Sequence, residues 1–187
     1  TGQTTRVSVS SAGVQGNEGS GGLSISEDGR YVAFASGASN LVTGDNNNYW
    51  DAFVHDQQTG QTTRVSVSSS GLEGNEGSGG PSISADGRYV AFTSGASNLV
   101  TGDTNGWADV FVHDRQIGET TRVSMPSSGM EGNGESRDPS ISADGRYVAF
   151  QSGASNLVTG DMNGTYDVFV HDRQTGETTP VSVRRLE

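Results

Sequence analysis

The sequence predicts an all-β fold, a β-propeller of four-stranded antiparallel blades, and three observations carry that prediction. The letters DGRYVAF at 28–34 return at 86–92 and 144–150, and SGASNLVTGD at 36–45 returns at 94–103 and 152–161. Long identical matches at one spacing of 58 residues mark tandem copies of a single structural unit. Within each copy, short apolar runs of strand length alternate with Asp-Gly and Gly-closed turns.

The middle copy shows the four strands in order. Strand A is expected at 81–85 and ends in the Asp86-Gly87 turn, where glycine accepts the positive φ of a tight hairpin. Strand B follows at 88–93. Strand C is read at 109–114 and strand D at 120–125, joined by a short loop closed by Gly118. Strands B and C are apolar on both faces: Tyr89 and Ala91 oppose Val90 and Phe92, and Phe111 opposes Val110 and Val112. Such strands need cover on both sides. Radial stacking of small sheets provides it, whereas the two sheets of a β-sandwich, the main competitor, seldom repeat one sequence so strictly.

Composition agrees with thin sheets and many turns: 30% of residues are hydrophobic and 28 are glycine. No run approaches the ~18 apolar residues of a membrane helix, so membrane insertion is not expected. The net charge of −11 argues against nucleic acid as a partner and suits cation binding. With no cysteine, disulfides and thiolate chemistry are excluded, although an oxidising compartment is not. An extracellular or periplasmic location is the expectation. The chain starts at Thr1 without a signal peptide, and Leu186 and Glu187 fall outside the repeat, as a cloning remnant would.

The segments SISADGRYVAF at 82–92 and DVFVHDRQ at 109–116, with their equivalents in the other copies, resemble TolB-like β-propeller repeats, relatives of tryptophan–aspartate propeller blades. The resemblance implies a propeller, often six-bladed, used for protein or ligand binding or as an accessory domain beside a catalytic one. It implies no catalytic residues.

Three blades are fewer than natural rings hold. Residues 4–10 match 62–68, so the chain reads as an extra outer strand (1–10) followed by blade 1 (11–68), blade 2 (69–126) and blade 3 (127–185). The last D strand, at 178–183, has Pro180 where the other copies have Arg6, Arg64 and Arg122, and proline belongs at an edge. One expectation is a homodimer in which the N-terminal strand of one chain replaces that edge and completes six blades. The other is a fragment of a longer propeller.

Antiparallel order puts the long B–C and D–A connections on one side of the ring, where binding residues usually sit. The B–C loops repeat Asp, Asn and Asp at positions 1, 3 and 7: Asp45, Asn47 and Asp51; Asp103, Asn105 and Asp109; Asp161, Asn163 and Asp167. These oxygens could wrap Ca²⁺, weakly without a closing glutamate, or could cap turns by accepting nearby backbone N–H groups. Trp50, Trp107 and Tyr166 flank the loops and could stack on glycans or anchor a protein, or could pack down over the blades. Glu18, Glu76 and Glu135 lie on the same side but out of register, which speaks against a shared acid function.

His55, His113 and His171 sit in strand C beside Asp56, Asp114 and Asp172; adjacent strand residues face opposite ways, so a structural role is expected. No elbow motif marks a nucleophile, and Asp28, Asp86 and Asp144 belong to turns. The expected function is a non-catalytic binding or scaffold module. The alternatives are an accessory part of a larger hydrolase and an engineered or excised fragment with a purely self-assembling role.

Overall fold

The computed structural model describes residues 2–181. Its strands fall into three sheets of four: β1 (Ser20–Ile25), β2 (Tyr31–Ser36), β3 (Asp51–Asp56) and β4 (Thr62–Arg64); β5 (Ser78–Ile83), β6 (Tyr89–Ser94), β7 (Asp109–Asp114) and β8 (Glu119–Arg122); β9 (Ser136–Ile141), β10 (Tyr147–Ser152), β11 (Asp167–Asp172) and β12 (Glu177–Pro180). Within each sheet, neighbours in sequence are antiparallel neighbours in space. No helix occurs among the described residues.

The expected C strand of the middle copy matches β7, while the other boundaries shift for identifiable reasons. Strand A starts earlier, because Ser78 already pairs with Ser94, and a bulge between Gly79 and Ser82 bends it. Strand D ends earlier, because the Ser124 hydroxyl replaces the ladder and accepts from the Val110 amide at 3.0 Å. The A–B turn is closed by Asp86, which accepts from Ser84 Oγ at 2.6 Å and from the Arg88 amide at 2.9 Å. Asp114 likewise accepts from the Gln116 amide at 2.9 Å and starts the C–D turn.

Both faces of the middle blade are buried, each against a neighbour. One cluster joins Ala33, Ala52, Val54 and Val65 of blade 1 to Val90, Phe92, Leu99 and Phe111 of blade 2. The next joins Ala91, Val110, Val112 and Val123 of blade 2 to Val148, Phe150, Leu157 and Phe169 of blade 3. Strand A of each later blade also bonds to the blade before it. Ser78 N donates to Trp50 O at 2.6 Å and Ser136 N to Ala108 O at 2.8 Å. Ile83 N and Ile141 N donate to Ser24 and Ser82 hydroxyls. This is the radial stacking of a propeller.

At the N terminus, the segment expected to complete a blade of another chain has no strand beside it in the single chain. Residues 4–10 form no ladder; Val9 makes only an isolated bridge with Gln15. The physical reason is that a D strand needs a C strand beside it, and this chain has none before residue 20. At the other end, Pro180 pairs opposite Phe169, and Val181 N donates to Val168 O at 2.7 Å. Hydrogen-bonded pairs alternate in an antiparallel ladder, so Pro180 falls where an amide would point outward and its lack of one costs the sheet nothing. The end of the expected D strand, together with Leu186 and Glu187, lies outside the described residues.

Candidate functional site

The B–C and D–A loops meet on one rim, as the strand order requires. Where they meet, the expected ligands of the middle copy form an ion-pair network. Arg122, at the end of β8, puts Nη1 3.5 Å from Asp103, 3.2 Å from Asp109 and 2.7 Å from Glu131. Glu131 belongs to the loop entering blade 3 and accepts from the Thr104 amide at 2.8 Å. Blade 1 repeats the arrangement with Arg64, Asp45, Asp51 and Glu73. The three carboxylates of each network lie within 4.8 Å of one another.

The guanidinium thus stands among the carboxylates, where a bound cation would otherwise neutralise them. The asparagines turn the other way from the expected ligation. Asn105 Oδ1 accepts from the Trp107 amide at 2.7 Å, which fixes the amide so that Nδ2 donates to Asp109 at 3.0 Å and to Gly132 O at 3.0 Å. Asn47 does the same with Tyr49, Asp51 and Gly74. Asn163 keeps both its turn bond to Thr165 and its bond to Asp167.

Electrostatics follow from this geometry. Burial, then the charge of Asp109, pushes Asp103 up to about 6. Asp45 rises to about 6 through burial and Asp51. Burial also raises Asp109, against its bond from Ser124. Burial acts the same way on Glu131, but the Thr104 amide and Arg122 outweigh it and hold the group down at about 2. The network ties two strands and two loops across a blade boundary, and its carboxylates face a guanidinium and backbone amides.

In blade 3, Asp161, Asn163 and Asp167 occupy the same positions, but Pro180 stands where Arg64 and Arg122 stand. The aromatic residues divide as well. Trp50 and Tyr166 share one register position, whereas Trp107 sits one residue earlier, with Tyr49. The Trp50 ring lies against Gly37 and Gly19, and the Tyr166 ring against Gly153, glycines that leave room for the rings. The Tyr166 hydroxyl bonds to Glu135, and Arg137 covers its ring at 4.3 Å. Trp50, Trp107 and Tyr166 each keep about half their surface exposed, and Val14, Leu72 and Met130 add an exposed apolar side chain to each D–A loop. Glu18 and Glu76 are exposed, and Glu76 lies against Gly95, so the three glutamates share no common partner.

The histidines act as latches. Nδ1 of His113 lies 2.9 Å from Thr120 Oγ1, whose hydroxyl donates to Val67 O at 2.5 Å, so Nδ1 carries the proton. His55–Thr62–Val9 and His171–Thr178–Met125 repeat the chain. Burial lowers all three histidines, which keeps them neutral.

Sequence reasoning missed two devices. Arg88 forms a two-pronged pair with Asp114, repeated by Arg30–Asp56 and Arg146–Asp172. Tyr31 is held between its own Arg30 and Arg115 of the next blade, and Tyr89 between Arg88 and Arg173. The constant offset of Arg-Tyr from His-Asp in the three copies was the available signal.

Fold and rim together define a β-propeller module. Among solved structures, the chain is similar to a protein described as TolB from Agrobacterium tumefaciens, with a TM-score of 0.56 and 16% identity over 87% of this chain and 48% of that one. It is also similar to the β-propeller domain of the Trilobed protease from Pyrococcus furiosus (TM-score 0.56, 13% identity, 90% of this chain, 44% of that one). The tricorn protease gives 0.56 at 15% identity, over 91% of this chain and 17% of that one. The chain therefore spans about half or less of each. No family model and no curated protein matches the sequence.

Proposed function

We propose that the chain is a non-catalytic binding module that presents its long-loop rim to a protein or glycan. The observation that carries this reading is the contrast on the rim. The carboxylates of its first two clusters are held by Arg64 and Arg122, whereas Trp50, Trp107 and Tyr166 are half-exposed beside them and Val14, Leu72 and Met130 are exposed on the D–A loops. Half-exposed aromatics on a rigid scaffold suit stacking on sugar rings or anchoring apolar side chains. One site per blade would give multivalent contact. The net charge of −11 disfavours nucleic acid. No described helix is long and apolar enough to cross a membrane, and a periplasmic or extracellular setting belongs to the same reading.

The two tryptophans are the only ones in the chain and both stand on this rim, so they report on it directly. Titration with neutral and acidic oligosaccharides and with unstructured peptides is expected to shift tryptophan emission for one of these classes, and Trp107→Ala to weaken that binding. Emission unmoved by every probe up to millimolar concentration would contradict the reading.

Calcium is a second reading, favoured by the convergence of Asp103, Asp109 and Glu131. It requires Arg122 to leave the cluster. A melting temperature raised by Ca²⁺ in the parent but not in Asp103→Ala supports it, and no change in either removes it. A third reading, an accessory propeller beside a hydrolase, draws on the proteases among the similar structures and is tested by the sequence that flanks this chain in its gene.

A further inference from the structure

The two outer faces of the three-blade stack are the two halves of the interface that the chain already makes twice inside itself. On blade 1, Leu23 is 76% and Ile25 56% exposed, while their counterparts Pro81 and Ile83 are buried against the preceding blade. On blade 3, Val168 is 38% and Val181 57% exposed, while Val110 and Val123 are fully covered by the following blade.

Matching parts recur beyond the apolar contact. A Cβ at Gly87 would lie 2.1 Å from the ring of Tyr31, and one at Gly145 would lie 2.1 Å from Tyr89, so each of these tyrosines fills a slot over a glycine of the next blade. Tyr147 has no such slot among the described residues and is 40% exposed; Gly29 has the slot and nothing nearer than Ile25 at 4.0 Å. The repeated hydrogen bonds from Glu27 N to Ala85 O and from Ala85 N to Ala143 O leave Ala143 N and Glu27 O as the next donor and acceptor in the series. Ile83 N to Ser24 Oγ and Ile141 N to Ser82 Oγ likewise leave Ser140 Oγ and Ile25 N.

We propose that a second copy of this chain covers both faces. Blade 3 of each copy stacks on blade 1 of the other, and the pair closes one ring. Head-to-tail stacking of three-blade units gives rings in multiples of three, and propellers hold about four to eight blades, which leaves six blades and two copies. Length agrees: 90% of this chain matches 44% of a solved propeller domain.

Ring closure also gives residues 4–7 the C strand they lack. They share register with 178–181, so the outer edge of blade 3 holds one segment or the other. Arg6 already donates to Gln15 at 2.6 Å, as Arg122 does to Glu131 at 2.7 Å. Placed on the other copy's blade 3, Arg6 takes the register position that Arg64 and Arg122 hold in blades 1 and 2. The N-terminal segment therefore displaces β12 in the ring.

Sedimentation equilibrium on the full chain tests both parts. The parent is expected at twice the 19.4 kDa of one chain. Ile25→Asp and Val168→Asp, exposed positions that the single chain tolerates, are each expected at the single-chain mass with a retained β-sheet spectrum. An equimolar mixture of the two variants regains the two-chain mass, because one of the two interfaces is then intact on both sides. Arg6→Ala is expected to raise the dissociation constant about tenfold or more, the weight of a charge-assisted bond. A parent at single-chain mass throughout the micromolar range overturns the ring and leaves the faces to further blades of a longer polypeptide. An Ile25→Asp variant that keeps the two-chain mass overturns it as well. An unchanged dissociation constant for Arg6→Ala overturns the strand exchange.

Discussion

The middle blade and the two end blades have nearly the same sequence, and they differ in what surrounds them. Val110 in β7 is fully buried, whereas Val168 at the same place in β11 is exposed; Tyr89 is held between two arginines, whereas among the described residues Tyr147 stacks with Arg146 alone. A blade is therefore not a stable unit in its own right. Its core lies at its boundaries, half supplied by each neighbour, as in other repeat architectures. The same division runs along the rim: Arg122 and Arg64 neutralise their clusters across a boundary that follows, and the last boundary has Pro180 instead.

The sharpest way to break this comparison is to place a charge on equivalent strands. In single chains, Val110→Asp buries an unpaired carboxylate and is expected to cost about 3–5 kcal/mol or to unfold the chain, whereas Val168→Asp costs less than about 1 kcal/mol, read by urea unfolding. Equal losses would contradict the neighbour argument. Arg122→Ala comes next. It strands Asp109, whose side chain is fully buried, and is expected to cost about 3 kcal/mol, against less than about 0.5 kcal/mol for Arg6→Ala in the single chain.

A glycine pair separates conformation from contact. Gly29 and Gly87 have φ of 73° and 72°, so alanine at either adopts the left-handed region at a cost of about 1–2 kcal/mol. Only Gly87→Ala also drives a methyl into Tyr31, so it should melt at a clearly lower temperature than Gly29→Ala in single chains.

The smallest effect is electrostatic. Asp103 titrates near 6 when folded and at 3.8 when unfolded, so the folded chain holds its proton more tightly. Its ionised form is a penalty that is full above about pH 6 and relieved as pH falls towards 3.8. Glu131, held near 2, acts with the opposite sign: its stabilisation is present above its ordinary value of 4.5 and lost as pH falls below that. Asp103→Asn is therefore expected to melt above the parent at pH 7.5, with the gap closing between pH 6 and 4.

Much of the fold was legible because the repeat states it three times. Two apolar faces on strands as thin as YVAF and DVFVHD demand cover from both sides, and Asp-Gly turns fix the hairpins. Boundaries were less legible, because Ser124 ends β8 through its side chain and a bulge shifts β5, and neither event has a strand-length signature. At the rim, the Asp-x-Asn spacing located the cluster but not its chemistry. Which atom of Asn105 faces Asp109 depends on the Trp107 amide, and the cation among the carboxylates comes from Arg122, distant in sequence. One clue was present: Arg64 and Arg122 are each followed nine residues on by an acid, Glu73 and Glu131, whereas Arg6 is followed by Gln15.

Native-state hydrogen exchange on the single-chain Ile25→Asp variant tests most directly whether neighbours supply each blade's stability. Amides of β6 and β7 are expected to exchange markedly more slowly than their counterparts in β2, β3, β10 and β11. Equal protection across the three blades would contradict it.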